Sequence, residues 1–167
     1  MSSRASELAA QLIRNFNEVP LERLAREPLY DSHGSRLARG SAARKLGASY
    51  DILEPGKVCC PYHFHHAQEE MFVILEGEGT LRVAGEKVPI KAGDVIFIPP
   101  GPEYPHQIIN TSAAQLRYLS ISTRETPEIC EYPDSDKYLA EASPGGERKF
   151  QVIASRSVNL DYWDSEP

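Results

Sequence analysis

Cysteine, positive charge and long apolar runs are all scarce in this chain. Only three of its 167 residues are cysteine, and 18 Lys and Arg stand against 24 Asp and Glu, for a formal net charge of −6. An odd, small number of cysteines argues against a disulfide framework and fits a reducing compartment. The acidic balance, without a cluster of Lys and Arg that stands out, disfavours nucleic acid as a partner.

The sequence also has no apolar run near the roughly 20 residues that a membrane-spanning helix needs. Its first residues include Arg4, Glu7 and Arg14, where a secretory signal would have an unbroken apolar stretch. We therefore expect a cytoplasmic protein with no membrane partner. A chain of this length buries enough surface to fold without staples, so a bound metal would be functional rather than structural.

The spacing of the apolar residues changes near residue 45. Residues 1–45 are predicted to form an N-terminal arm followed by a lead-in loop. Within the arm, apolar residues at helical spacing predict a short amphipathic helix with its N-cap at Ser6, and a frayed terminal arm is the alternative. The polar, turn-rich stretch 27–45 is the predicted loop.

The rest of the chain is predicted to be all-β. Residues 46–133 contain short apolar runs separated by Gly, Pro, Asn and Asp, a pattern typical of closely spaced strands in a closed barrel or sandwich. Residues 134–167 are predicted to be a C-terminal extension that packs on the barrel. Edge strands are expected there at 150–153 and 158–162.

Histidine provides the main chemical signal. Three of the five histidines are His63, His65 and His66, and His106 follows a later turn. Residues i and i+2 of a strand share a face, so His63 and His65 would place two imidazoles side by side. Glu70 follows at the start of an apolar run, where a carboxylate is costly to bury unless it is paired. Together with His106 these residues would supply three nitrogens and one oxygen, a set that suits Fe, Mn, Ni, Cu or Zn.

Hydrogen-bonded core histidines are the alternative interpretation of this pattern. His66 points to the opposite side from His65 and is left out of the predicted set. Spacing alone does not separate Glu69 from Glu70 as the acidic ligand.

The stretch HFHHAQEEMFVILEG resembles the first cupin motif, in which HxH is followed by Glu and then by Gly. The resemblance selects His63, His65, Glu70 and Gly77. It thereby prefers Glu70 to Glu69.

The stretch GDVIFIPPGPEYPHQIIN resembles the second cupin motif. The matching positions are Gly93, Pro99, Gly101, His106 and Asn110. Four residues separate Gly101 from His106 where the usual pattern has two, so the loop before His106 is longer.

The resemblance covers about residues 46–133 and implies one double-stranded β-helix, or jelly-roll, barrel. It implies that His63, His65, Glu70 and His106 hold one divalent transition metal inside the barrel. It also implies a homodimer, because small cupins commonly pair through barrel edges.

The fold and the site do not fix the reaction, because one fold hosts many activities. We expect a metal-dependent oxygenase, decarboxylase or isomerase acting on a small organic acid, carbohydrate derivative or oxygenase substrate. The alternatives are a non-catalytic binding or sensing protein and a metal-free epimerase-like barrel, and the complete ligand set argues against the latter. Tyr62, Gln68 and Tyr104 flank the ligands as candidate catalytic groups, with packing at the barrel rim as the alternative, whereas Cys59 and Cys60 are predicted to be packing residues.

Overall fold

The computed structural model describes residues 3–144, 147–158 and 160–164. One α-helix, α1, spans Arg4–Leu12. The strands are β1 Glu22–Arg26, β2 Tyr30–Ser35, β3 Leu46–Leu53, β4 Phe64–His65, β5 Glu70–Glu76, β6 Glu78–Val83, β7 Glu86–Lys91, β8 Val95–Ile98, β9 His106–Ile109, β10 Leu116–Thr123, β11 Glu128–Tyr132, β12 Lys137–Ala142 and β13 Phe150–Ser155. A 3₁₀ turn, Pro133–Ser135, connects β11 to β12.

The strands pair antiparallel in three sheets. A six-stranded sheet has the order β1-β2-β3-β10-β5-β8, a four-stranded sheet the order β13-β12-β11-β4, and a three-stranded sheet the order β7-β6-β9. Five of the ten strand pairs join strands that are not consecutive in sequence, so the chain crosses repeatedly between the sheets. This arrangement confirms the predicted all-β, jelly-roll barrel.

The hydrophobic core lies between the six-stranded and three-stranded sheets. Leu53, Ile74 and Leu116 point inward from the larger sheet, and Leu81 and Ile108 meet them from the smaller one. Alternate residues of each strand project to this side, as the period of a strand requires. Each such side chain contributes roughly 1.5–3 kcal/mol by its burial, which fixes the strand register and hence the positions of the polar residues beside the core.

The N-terminal arm differs from the sequence prediction in two ways. The N-cap of α1 is Ser3 rather than Ser6, because the Ser3 hydroxyl accepts a hydrogen bond from the Ser6 backbone N–H at 3.2 Å. Residues 27–45 are not all loop, since β2 pairs with β1 on one side and with β3 on the other. In the chain that the structure describes, no helix has the length and apolar character to cross a membrane.

The strand β2 was hidden from sequence analysis by its polar composition. Its side chains include Asp31 and Ser32, and both are buried. Asp31 is held by two contacts from the Arg23 guanidinium, at 2.9 and 2.8 Å. An ion pair and backbone pairing stabilise this strand in place of the apolar alternation that signals a half-buried strand.

The C-terminal extension continues the four-stranded sheet. The expected strand at 150–153 is present as part of β13, while β12 was not predicted. No strand occurs at 158–162 among its described residues, and residue 159 lies outside them. Tyr162 and Trp163 are 82% and 71% exposed and contact each other edge-on, so they do not cap the barrel.

Candidate metal centre

Three short segments bring the predicted ligands to one place. His63 and His106 bridge each other through both backbone hydrogen bonds, of 3.1 and 2.7 Å. This antiparallel bridge holds the two imidazoles with their ring centres 4.6 Å apart. His65 ends β4, and Glu70 opens β5, so the turn between these strands delivers both side chains to the same end of the barrel.

The carboxylate of Glu70 is the common point of the cluster. Its Oε2 atom lies 2.8 Å from His106 Nε2, 3.5 Å from His65 Nε2 and 3.8 Å from His63 Nε2. Two ligand atoms on one ion with bonds of about 2.0–2.2 Å stand roughly 3 Å apart, so these spacings suit a small cation. His63, Glu70 and His106 offer ligand atoms within 4.8 Å of one another, and His65 joins them through its contact with Glu70; each side chain is at most 15% exposed.

The alternative acidic residue, Glu69, does not join the cluster. It is exposed, and its backbone N–H donates to the Thr123 hydroxyl at 3.0 Å. The distances to the imidazoles therefore favour Glu70, in agreement with the motif.

The outer nitrogen of each imidazole faces an atom that only accepts hydrogen bonds. The Nδ1 partners are the Pro61 carbonyl for His63 at 2.8 Å, the Glu128 carboxylate for His65 at 3.2 Å and the Tyr104 carbonyl for His106 at 3.2 Å. A neutral imidazole that donates from Nδ1 has its lone pair on Nε2. All three lone pairs thus belong to the nitrogens that face Glu70.

Two buried atoms in the cluster lack a hydrogen bond. Glu70 Oε2 and His106 Nε2 are inaccessible to solvent, and despite their 2.8 Å separation they do not meet hydrogen-bond geometry. A buried polar atom without a partner costs about 1–3 kcal/mol. A cation between these atoms would satisfy both, so the residues present fit a metal.

The pKa shifts of His63 and Glu70 suit a cation, whereas that of His65 favours its protonated form. Burial, reinforced by the neighbouring His106, lowers the pKa of His63 to about 4, so its imidazole is neutral near pH 7. Burial opposes the ionisation of Glu70, but the contact with His106 and the charge of the imidazoles outweigh it, and its pKa lies below the usual value. Burial likewise disfavours the charged form of His65, yet the hydrogen bond to Glu128 and the charge of Glu70 raise its pKa overall.

Glu128 is a site residue that the sequence did not reveal. Its carboxylate is 3% exposed and accepts hydrogen bonds from the backbone N–H groups of His66, Ala67 and Gln68 at 3.0–3.1 Å, besides its contact with His65. It therefore fixes both the His65 ring and the turn that follows. No local pattern marks it, because its partners lie about sixty residues earlier in the chain.

A cavity of about 270 Å³ opens beside the histidines. Its lining comprises Cys60, Pro61, His63, His65, Gln68, Glu128, Cys130, Tyr132, Leu139 and Glu141. Antiparallel pairing of β11 with β12 puts Cys130 opposite Leu139 and Glu128 opposite Glu141, which explains why the C-terminal sheet forms one wall. Gln68 is thus the one predicted catalytic candidate that lines this cavity.

The two predicted tyrosines have other contacts. The Tyr62 hydroxyl accepts a hydrogen bond from the Gly85 N–H at 3.0 Å, and the Arg82 guanidinium lies over the Tyr62 ring. Tyr104 is 44% exposed and contacts His106 through its carbonyl rather than its side chain. Neither tyrosine is among the residues that line the cavity beside the histidines, and a catalytic role for either stays a prediction.

The adjacent cysteines behave as the sequence predicts. Burial and the nearby charge of Asp51 raise the pKa of Cys59 to about 11. Burial raises the pKa of Cys60 as well. Because the thiolate is the reactive form, these groups are protonated packing residues rather than nucleophiles.

The jelly-roll barrel and its His and Glu cluster define the class of protein, and comparisons with known proteins give the family. The Cupin domain family matches residues 49–122. The oxalate-binding protein of Thermotoga maritima is 42% identical over 128 residues, which are 72% of this chain and 92% of that protein. The chain therefore belongs to the cupin family.

One more protein sequence and one solved structure are also similar to this chain. An uncharacterised protein of Methanocaldococcus jannaschii is 40% identical over 73 residues, which are 41% of this chain and 57% of that protein. A candidate sugar phosphate isomerase of Acidithiobacillus ferrooxidans has a solved structure with a TM-score of 0.75 and 25% identity, covering 87% of this chain and 91% of that one. The fold similarity thus extends beyond the segment that the family matches.

Proposed function

We propose that this protein is a metal-dependent enzyme that holds one divalent transition metal on His63, His65, Glu70 and His106. The observation that carries the proposal is the arrangement of the imidazoles, each of which has an acceptor at Nδ1 and its Nε2 near the Glu70 carboxylate. Histidines that ligate metals are oriented by such contacts on their outer nitrogen. The unpartnered Glu70 Oε2 and His106 Nε2 atoms support the same conclusion.

The donor set of three nitrogens and one oxygen suits Fe, Mn, Ni, Cu or Zn. Such an ion, with two of six positions open, supplies Lewis-acid chemistry towards a carbonyl or carboxylate oxygen, and iron adds oxygen binding. The cavity residues would hold the substrate against it. The Gln68 amide, the Tyr132 hydroxyl and the Glu141 carboxylate are the polar groups available for this purpose.

The substrate that we propose is a small molecule with two adjacent oxygen atoms. The cavity of about 270 Å³ accommodates a few heavy atoms beside the ligands. One relative is named an oxalate-binding protein, and a structural neighbour is a candidate sugar phosphate isomerase. A dicarboxylate and a hydroxy-carbonyl compound share the ability to chelate one cation through neighbouring oxygens.

A non-catalytic binding protein is the second candidate. Burial raises the pKa of the Tyr132 hydroxyl, so this group stays protonated near neutral pH and is not available as a base. Gln68 carries no transferable proton at neutral pH. These two lining residues are better suited to hold a ligand than to transform it, which agrees with the name of the oxalate-binding relative.

Elemental analysis of protein purified without added metal tests the metal centre. We expect about one transition-metal ion per chain in the wild type, and a loss of most of it in His106→Ala. His66→Ala is the matched control, since this neighbouring histidine contacts Glu131 instead of Glu70. Equal metal contents in the wild type and His106→Ala would refute the centre.

Turnover separates the two candidate functions. Metal-loaded protein is incubated with oxalate, other small organic acids and hydroxy-carbonyl sugars, and oxygen uptake, carbon dioxide release and isomer formation are recorded. We expect product from one of these classes, abolished in His106→Ala. A compound that stabilises the protein against heat and is recovered unchanged would favour the binding protein.

A further inference from the structure

Five cationic side chains line two neighbouring cavities that share Arg124, although the chain is acidic as a whole. Arg36, Arg39, Arg44 and Lys45 belong to the connection between β2 and β3, and Arg124 directly follows β10. Within the described ranges, none of the five has a carboxylate at ion-pair distance, whereas other cations of the chain do. The folded chain therefore contains the basic cluster that the sequence analysis did not find.

Backbone hydrogen bonds place this cluster close to a predicted metal ligand. The Arg124 N–H donates to the Lys45 carbonyl at 2.8 Å, which joins the two cationic segments. The preceding Thr123 donates its N–H to the Glu69 carbonyl at 2.9 Å and accepts the Glu69 N–H on its hydroxyl. Since Glu69 precedes Glu70 in the chain, the cations stand next to the start of β5.

Three of the five cations line a cavity that adjoins the one at the proposed metal centre. This cavity, of about 530 Å³, is lined by Ala43, Arg44, Lys45, Gln68, Arg124, Glu125, Thr126, Glu141 and Ser143. It shares Gln68 and Glu141 with the smaller cavity beside the histidines. The Gln68 side chain makes no hydrogen bond to the described residues, so its amide is free for a ligand that extends through both.

The charge of the larger cavity is positive. Arg44, Lys45 and Arg124 outnumber the two carboxylates of Glu125 and Glu141, and Glu141 lies 3.9 Å from the Arg148 guanidinium. An anionic group with several oxygens would use these cations together. Phosphate fits best, because an arginine fork binds two of its oxygens at once and a lysine adds a point charge.

We propose that Arg44, Lys45 and Arg124 form a phosphate subsite for a small phosphomonoester whose other end reaches the metal centre past Gln68. This inference deepens the proposed function. The phosphate subsite stands without the metal centre, and only the placement of the ligand's other end at the metal rests on the proposed function. The volumes of the two cavities, about 530 and 270 Å³, favour a small metabolite over a polymer. The substrate class is then a phosphorylated compound with adjacent oxygens at the opposite end.

Isothermal titration at low ionic strength tests the subsite, with glucose 6-phosphate, glucose and inorganic phosphate as probes. We expect glucose 6-phosphate to bind, and Arg124→Gln to weaken binding by about tenfold or more through loss of a charged hydrogen-bond donor. Arg26→Gln is the matched control, an exposed β1 arginine outside both cavities, and is expected to change affinity by less than about twofold. Arg44→Gln provides a second variant in case Arg124→Gln folds poorly.

Three outcomes would overturn the subsite. They are equal binding of glucose and glucose 6-phosphate, equal weakening by Arg26→Gln and Arg124→Gln, and tight binding of a single-stranded oligonucleotide that depends on Arg124 while glucose 6-phosphate does not bind. Metal content is measured on the same samples. If the wild type holds no metal but binds phosphate through Arg124, the proposed function fails and the subsite stands, whereas metal binding without phosphate binding removes the subsite alone.

Discussion

At the scale of single residues, Glu128 connects the C-terminal sheet to the proposed metal centre. A buried carboxylate is costly unless its oxygens are satisfied, and here four donors reach it. Three of these donors are backbone N–H groups, so the carboxylate also holds the turn that carries Gln68. Glu128 is therefore a positioning residue, acting on the metal through His65.

We predict that Glu128→Gln weakens metal binding by about 10–100-fold, since the amide replaces an acceptor with a donor that faces backbone N–H groups. The variant is also expected to lose about 1–3 kcal/mol of stability. Competition with a chelator and urea denaturation measure the two effects. Glu131→Gln is the control, because this carboxylate lies on the same strand but contacts His66 and Arg156. Unchanged metal affinity in Glu128→Gln would show that the contact with His65 is only structural.

The sequence predicts the metal ligands but not the residues that contact them, and the reason is physical. His63 directly precedes β4, His65 ends it and Glu70 opens the next strand, so local spacing encodes how they meet. Glu128 joins them only through the pairing of β11 with β4, which the spacing does not contain. Arg124 likewise reaches Lys45 through pairing of distant segments.

At the scale of elements, two turns between consecutive strands contain a glycine with a left-handed backbone conformation. Gly77, between β5 and β6, and Gly85, in the β6–β7 hairpin, both have positive φ, of 84° and 82°. A Cβ at Gly77 would collide with the backbone carbonyl of Gln115, whereas one at Gly85 meets nothing within 4 Å. Gly77 and Gly85 therefore share a backbone conformation, but only Gly77 also lies close to a neighbouring backbone segment.

Alanine substitutions at these two glycines distinguish the energy of backbone strain from the energy of a steric collision. We predict that Gly85→Ala costs about 1 kcal/mol, the strain alone, whereas Gly77→Ala costs about 3 kcal/mol or more because the β10 backbone must also move. Urea denaturation of both variants and the wild type gives the difference. Equal losses would contradict the predicted collision at the first glycine.

The sequence predicts a strand correctly where the strand buries apolar side chains. The strands β5, β8 and β10 are evident from their apolar runs, which the folded chain uses for its core. The strand β2 was missed because an ion pair, rather than apolar contact, buries its Asp31. The strand β12 was missed because all six of its residues are only partly buried.

At the scale of the whole molecule, one apolar sheet face has no cover within the described chain. Phe97 and Val95 of β8 are 66% and 48% exposed. They pair with Met71 and Val73 of β5, which share the same outer face and are only partly buried. A continuous apolar run such as 71–75 is typical of a strand buried on both faces, yet this chain buries only the inner one.

A second copy of the chain is the occupant that we propose for this face, as the homodimer implied by the cupin resemblance. The strand β8 is the edge of the six-stranded sheet, so its outer face and free edge are available together. Exposed apolar patches of this kind mark association surfaces in proteins. We therefore predict a sedimentation mass of twice 18.6 kDa for the wild type.

Replacement of Phe97 tests which surface forms the dimer. Phe97→Glu places a charge in the centre of the apolar face, where it would be desolvated without a partner, and is expected to give a species of 18.6 kDa. Phe150→Glu, at a phenylalanine that is 54% exposed on β13, is the matched control and should remain dimeric. Sedimentation equilibrium at several concentrations measures both variants. Dissociation by Phe150→Glu alone would move the interface to the C-terminal sheet, and because that sheet forms a wall of the cavity, the partner subunit would then stand beside the proposed metal centre.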